Sequence, residues 1–423
     1  MRFCMITTFF GALSFGGDAA YVDRLARALA RRGHGVDVIH CADAFSAAGG
    51  KELERAYEEP DGVRIHTLRS RLGRLSPLWT HQTGGPGPKA NAIRNVLESG
   101  DFDVVHFHNI SLVGGPRVLR LARGARPAVR LLSAHEHWLV CPMHHLWKLG
   151  REICERPQCV RCSVQGRRPP QLWRYTGLRE RMLEEVDAIV FPSRHALEAH
   201  RERGIRARLV ELPYFLPDGW PGRGEPRAEP PAGRPYVAAA GRLVQAKGFQ
   251  DLIAAMARLP QFDLLIAGAG AFEPELRRLA AALPNVRFLG ILDAAELALV
   301  FRGAVAVAIP SRSYETFGYV ALEAFSVGTP VVARRVGALP EIVEESGGGI
   351  GFETTDELVD AIRLLGSDPS LRDVLGRRGR DALETIWSET AQVDAYLELV
   401  RALARNRVSE RAPASAPVPA AEA

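Results

Sequence analysis

Apolar residues recur along this chain with two alternating periods. Residues 3–10 form a nearly unbroken apolar run, the pattern of a strand buried on both faces. After a glycine-rich turn, Val22, Leu25, Ala26 and Leu29 fall at helical spacing until Gly33 ends the helix, and residues 36–40 read as the next strand. The same order continues with strands at 104–107, 129–133 and 189–191, which predicts a parallel sheet covered by helices. Residues 214–235 lose all periodicity and are rich in Pro, Gly, Arg and Glu, as in a linker between separately packed domains. A second series follows, with strands at 236–240, 263–267, 286–289, 304–309 and 330–333. The expected fold class is therefore α/β, with two Rossmann-like domains facing a central cleft. Ligands of such sheets bind at the carboxyl ends of the strands.

The domain boundaries follow from this pattern. Residues 1–213 form the first domain, with a cysteine-rich insertion at about 138–170. Residues 214–235 are the linker, 236–385 the second domain, and 386–408 a C-terminal helix expected to pack back on the first. The Ala/Pro/Ser stretch at 409–423 has too little apolar surface for a core and is expected to be disordered.

Composition narrows the class. In 423 residues, 47% hydrophobic and 24% charged, disordered, collagenous and small disulfide-bonded classes are excluded. No window reaches the roughly 20 apolar residues of a spanning helix. The apolar run after Arg2 resembles a short signal peptide but lacks a small-residue cleavage site, so it is read as a buried strand. Six cysteines in a chain of this length then suggest reduced thiols and a cytoplasmic setting. The net charge of +5 hides an asymmetry: residues 1–212 carry 32 Lys and Arg against 22 Asp and Glu, whereas the remainder is net acidic. A basic first domain suits a membrane face, peripheral at its inner side, or an anionic acceptor, but equally a solvated surface. No basic cluster is interleaved with aromatics, so nucleic acid is not expected.

The chemistry concentrates at two strand ends in the second half. Strand 236–240 runs into Gly241 and Arg242, and Lys247-Gly248 opens the next helix, which puts two cations beside a helix N-terminus. After strand 304–309 comes Glu315-Thr316-Phe317-Gly318, then a helix containing Glu323. On one helix, carboxylates eight residues apart would lie ~12 Å apart along the axis, which is poor geometry for an acid/base pair on one bond. With Glu315 in the loop, the two can instead accept hydrogen bonds from separate hydroxyls of a long ligand.

These residues resemble the family 4 retaining glycosyltransferases. The resemblance rests on Gly241-Arg242 with Lys247-Gly248, Glu315-Thr316-Phe317-Gly318, Glu323-Ala324, Gly328-Thr329-Pro330-Val331-Val332 and Pro340-Glu341-Ile342-Val343. In the first half it rests on Phe15-Gly16-Gly17, Gly33-His34, Asp103 to Asn109, Asp187 to Val190 and Pro192-Ser193. It implies a GT-B-type fold and retaining transfer of a sugar from a nucleotide-sugar donor to a glycan or lipid-linked acceptor in polysaccharide or glycolipid assembly. It also implies catalysis without a required metal. By position, Arg242 and Lys247 would neutralise the leaving diphosphate, Glu315 would hold donor-sugar hydroxyls and Glu323 the ribose. Gly241, Phe317 and Gly318 belong to the same donor motifs. His135 matches the histidine beside the donor sugar, and Gly16 and Gly17 the turn near the phosphates. Two positions depart from the family pattern: Ala338 stands where a second glycine is common, and Tyr214-Phe215 replaces a frequent Asn-Gly.

Other readings stay open. A sugar-nucleotide epimerase would use the same architecture, and the pairs His106/His108 and His135/His137 could serve a metal-dependent hydrolase. Asp101-Phe102-Asp103 precedes its strand and so lies away from the cleft. Cys141, Cys154, Cys159 and Cys162 crowd the insertion, and Cys159-x-x-Cys162 has the spacing of half a zinc site; structural zinc, free thiols and a disulfide all fit.

Overall fold

The computed structural model describes residues 1–14, 16–50, 57–125, 129–221 and 233–411. Phe15 of the glycine turn, half of the predicted linker (222–232) and the tail from 412 onward lie outside the described residues.

The first domain is one parallel sheet of seven strands. These are β1 (Arg2–Ile6), β2 (Gly35–Cys41), β3 (Val63–Leu68), β4 (Val104–Phe107), β5 (Val129–Ser133), β8 (Ala188–Phe191) and β9 (Leu209–Glu211). Between β5 and β8 the insertion contributes a small antiparallel hairpin, β6 (Trp147–Lys148) and β7 (Glu152–Ile153). The strand order β3-β2-β1-β4-β5-β8-β9 reverses between β1 and β4. The apolar N-terminal run thus supplies β1, paired on both edges and buried from Phe3 to Ile6, although the strand ends at Ile6 rather than residue 10. The second sheet comprises β10 (Tyr236–Ala240), β11 (Asp263–Ala267), β12 (Val286–Gly290), β13 (Ala306–Ile309), β14 (Val331–Arg334) and β15 (Gly349–Phe352). Its order, β12-β11-β10-β13-β14-β15, reverses between β10 and β13.

The C-terminal helix Glu389–Arg411 returns to the first domain. Arg31 pairs with Glu389 at 2.6 Å and Arg407 with Asp187 at 2.7 Å. The Tyr396 hydroxyl reaches His106 Nδ1 at 3.1 Å. Trp387 and Tyr396 are fully buried, so this helix joins the two domains through a shared apolar core. Among the described residues no helix is long and apolar enough to cross a membrane.

Candidate active site

Both sheets present their reversal points to the cleft, and the sequence motifs fall there. Beyond β10, Gly241 (φ 148°) and Gly248 (φ 74°) take backbone angles that side-chain-bearing residues avoid. At Gly248 a Cβ would stand 1.9 Å from the Pro310 carbonyl oxygen, so the turn after β10 packs directly on the turn after β13. The N–H groups of Arg312 and Ser313 both donate to the Ala246 carbonyl, at 2.8 and 3.2 Å, locking the loops together. Across this seam Lys247 Nζ meets Glu315 Oε1 at 2.6 Å, and the Ser311 hydroxyl donates to the same oxygen. Arg242 is exposed at the rim.

Glu323 sits on the helix Tyr319–Ser326, whose N-terminus has no side-chain cap. Burial pushes its carboxyl up to about 7, against the pull of Arg24. Arg24 comes from the first domain, two turns beyond Gly17 on the helix Gly17–Arg31, and its guanidinium lies 4.6 Å from the Tyr319 ring centroid. A Cβ on Gly17 would approach the same ring at 3.2 Å. The glycine turn thereby lets the first helix close on the donor-side helix.

His135 follows β5 and is buried among aromatic rings, which lowers its pKa to about 4 and keeps it neutral. Its Nε2 bonds His108 Nδ1 at 3.0 Å, and its Nδ1 shares a hydrogen bond with the Tyr214 hydroxyl. The Thr316 hydroxyl donates to the His135 carbonyl at 2.8 Å, and Ser193 donates to the Thr316 carbonyl at 2.8 Å. Glu341 accepts from the N–H groups of His195 and Arg194 at 2.7 and 3.1 Å, at the start of the helix Arg194–Glu202. The loop 315–318 is therefore held against the first domain. His135 and Glu315 are brought to one place, with His135 engaged at both ring nitrogens.

Both departures from the family pattern have structural reasons. Gly337 is the glycine the backbone needs: its φ is 64° and a Cβ would stand 2.5 Å from the Glu315 backbone. Ala338 has ordinary angles (φ −79°) and donates its N–H to the Glu315 carbonyl at 2.9 Å. Tyr214 stacks on Tyr319 at 5.1 Å and meets Phe317 edge-on at 5.0 Å. It links His135 to the donor loop, a role that reading it as a linker residue missed. Arg24, Ser311 and Tyr319 were also missed; only Arg24, at i+7 from Gly17, had a signal in the sequence.

Among the described residues the metal readings find no donor set. His106 is bonded to Tyr396 and Ser133, and burial lowers both His106 and His108. Asp103 accepts from the Arg2 N–H at 2.7 Å, at the strand end away from the cleft. All six cysteines are free. Cys141 and Cys154 pack with Leu146 and Ala199, and burial, then the neighbouring thiols, raise Cys154. Among the described residues no group of three or more His, Cys, Asp or Glu side chains is arranged to hold a metal.

Two family models match, glycosyltransferase family 4 over residues 15–214 and glycosyl transferases group 1 over residues 225–382. The chain belongs to glycosyltransferase family 4. Over 92% of its length the transferase is 30% identical to a D-inositol 3-phosphate glycosyltransferase from an Arthrobacter species, covering 93% of that protein. It is 36% identical over 179 residues to a lipopolysaccharide core biosynthesis glycosyltransferase from Rhizobium meliloti, matching 41% of this chain and 52% of that one. The structure of an Anabaena protein, HepE, in complex with UDP-glucose superposes with a TM-score of 0.66 at 17% identity, over 95% of this chain and all of that one. The fold is GT-B and the activity is retaining sugar transfer; the epimerase reading finds no support.

Proposed function

We propose that the transferase moves a hexosyl unit from a nucleoside diphosphate sugar to a hydroxyl of a glycan or lipid-linked acceptor at the inner face of a membrane. The observation that carries this is the seam between the turns after β10 and β13, where Lys247, Glu315 and Arg242 stand beside an uncapped helix bearing Glu323. The bound UDP-glucose of the HepE structure and the lipopolysaccharide role of the R. meliloti relative support the same donor and acceptor classes.

Without donor, Lys247 and Glu315 neutralise each other. A donor would separate them, the ammonium turning to the diphosphate and the carboxylate to sugar hydroxyls. As the sugar–phosphate bond breaks, charge grows on the diphosphate, and Arg242, Lys247 and the helix amides stabilise it there. The departing phosphate takes the acceptor proton, and the acceptor attacks from the face the phosphate leaves. His135 is neutral and hydrogen-bonded, which suits it to shape the sugar pocket rather than to carry a proton. No metal is needed in this scheme, and no nucleic acid partner is proposed.

A thermal-shift screen of nucleoside diphosphate sugars tests the reading, because a bound donor raises apparent stability. One or more sugars should stabilise the chain, and that sugar should appear on an acceptor with its anomeric configuration retained. An inverted product, or an epimerised donor with no glycosylated product, would overturn it.

A further inference from the structure

The helix Leu75–Thr83 is built inside out. Its buried positions include Ser76 and Thr80, which bind the buried Lys89 ammonium at 2.7 and 3.1 Å, whereas Leu75, Leu78 and Trp79 point to solvent. Burying apolar surface is what normally orients a helix, so an apolar outer face marks a surface with a partner. The segment 156–179 of the insertion lies against it: Trp173 Nε1 donates to the His81 carbonyl at 2.9 Å, and Gln82 reaches the Pro169 carbonyl at 3.5 Å. This segment exposes Val160, Val164, Leu172 and Tyr175. Together with Leu72, these two stretches hold eight of the twelve exposed large hydrophobic residues among the described ones, so the clustering is local and not a general property of the surface.

Charge decides what covers this face. Residues 62–97 contain six Lys and Arg and no Asp or Glu, and residues 156–179 contain six Arg and again no acid. Arg71 and Arg74 flank Leu72 and Leu75, Arg161 follows Val160, and the Arg167 N–H bonds the Val164 carbonyl. Arg168 is close enough to His81 to help burial lower its pKa, which puts a cation of the second segment beside this helix. Exposed aliphatic side chains and a tryptophan beside Arg71, Arg74, Arg161, Arg167 and Arg168 match an anionic lipid interface: the apolar groups enter the acyl boundary and the guanidinium groups meet phosphate headgroups.

We infer that the helix Leu75–Thr83 and the segment 156–179 form a docking face for an anionic lipid bilayer. This rests on the reading of a membrane-borne acceptor and gives it an address. Segment 156–179 follows His135 along the chain in the first domain, the side assigned to the acceptor.

The test is co-sedimentation of the full chain with vesicles of phosphatidylcholine alone and of phosphatidylcholine with phosphatidylglycerol. The chain should sediment with the anionic vesicles and far less with the neutral ones. Replacing Arg71, Arg74, Arg167 and Arg168 together by Gln should weaken that binding by about tenfold or more. Leu75→Ser with Leu172→Ser should weaken it too, since both side chains are more than 60% exposed and contribute little to folding. Equal binding to both vesicle types, or variants that bind like the parent, would overturn the proposal. So would no vesicle binding together with an oligomer that the Leu75/Leu172 variant dissolves, because the face would then join two copies of this chain. The thermal-shift screen reads the cleft separately, so vesicle binding without donor binding would sink the functional reading alone.

Discussion

The two sides of the cleft are made of different materials. On the second-domain side the groups are ionic: Arg242, Lys247, Glu315 and Glu323 sit within two strand-turn-helix units packed at Gly248. On the first-domain side His108, His135 and Tyr214 form a neutral, buried hydrogen-bonded chain drawn from three separate segments, so sequence distance does not distinguish the two sides, but charge does. Charges meet charges that develop during bond breaking, while a neutral buried network fixes shape. If that division is real, substitutions on the two sides should fail differently, the first group in rate and the second in stability.

The largest effect should come from the cations. Arg242→Ala and Lys247→Ala are each expected to lower turnover on the order of 10²-fold or more, because they act on charge that grows as the bond breaks. Arg242 is exposed, so its loss should change stability by less than about 0.5 kcal/mol. Steady-state rates beside thermal melts read both. Near-normal turnover in both variants would remove the ionic side from the mechanism. Gly337→Ala should come next without touching a charge, since its Cβ would displace the Glu315 backbone, and a misplacement of about 1 Å can cost about 10²-fold.

The two glutamates sharpen the contrast within the ionic side. Glu315→Gln alters the hold on the moving sugar and should depress turnover, with nucleoside diphosphate binding nearly normal. Glu323→Gln should chiefly weaken that binding, an interaction made equally in ground and transition states. Because burial holds Glu323 near 7, its carboxylate disappears as pH falls, and nucleoside diphosphate affinity should drop by up to about tenfold per pH unit below 7. Stability has the opposite sign. The raised pKa favours the neutral acid, so its contribution is full below the ordinary value of 4.5 and is lost as pH rises through about 7. Glu323→Gln should therefore melt higher than the parent at pH 8 while binding more weakly, and calorimetry should show a smaller pH dependence near 7 in the variant, only that of the ligand's own terminal phosphate remaining.

This asymmetry also explains what the sequence disclosed. Lys247-Gly248 and Glu315 to Gly318 are local motifs whose glycines and charges do one chemical job, and they are legible because their partners follow the same strand ends. Most strands were legible for the same reason, as runs of buried apolar residues. β3, β9 and β15 were not: β3 and β15 each bury only their last residue, Leu68 and Phe352, and β9 has three residues, none of them buried, so none gives a buried apolar run. Tyr214 and Tyr319 meet across a gap of 105 residues, and no spacing rule predicts that stack. In the insertion, cysteine spacing left zinc, free thiols and a disulfide open, and spacing alone gave no sign that Cys141 and Cys154 pack beside Leu146 and Ala199.

On the neutral side the expected loss is in folding. Tyr214→Phe keeps the ring against Tyr319 and Phe317 but leaves His135 Nδ1 buried without its partner. An unmatched buried polar group costs about 1–3 kcal/mol, so chemical denaturation should show a loss of that order. A variant that kept its stability and lost turnover instead would place Tyr214 among the groups that act on substrate.

The smallest effect should come from Ala338→Gly, which restores the residue common in the family. Were a glycine needed there, the change would improve the site. Ala338 has ordinary backbone angles at the start of the helix Leu339–Ser346, its side chain is fully buried, and its N–H already holds the Glu315 carbonyl. A glycine would keep that bond, remove one buried methyl group and widen the freedom of the unfolded chain, at about 1 kcal/mol. Turnover should stay within about twofold of the parent, because a loss of up to 1 kcal/mol in folding leaves nearly all molecules native. A gain in rate would show that Ala338 restrains the loop that carries Glu315, and that the ionic side owes its geometry to more than Gly337.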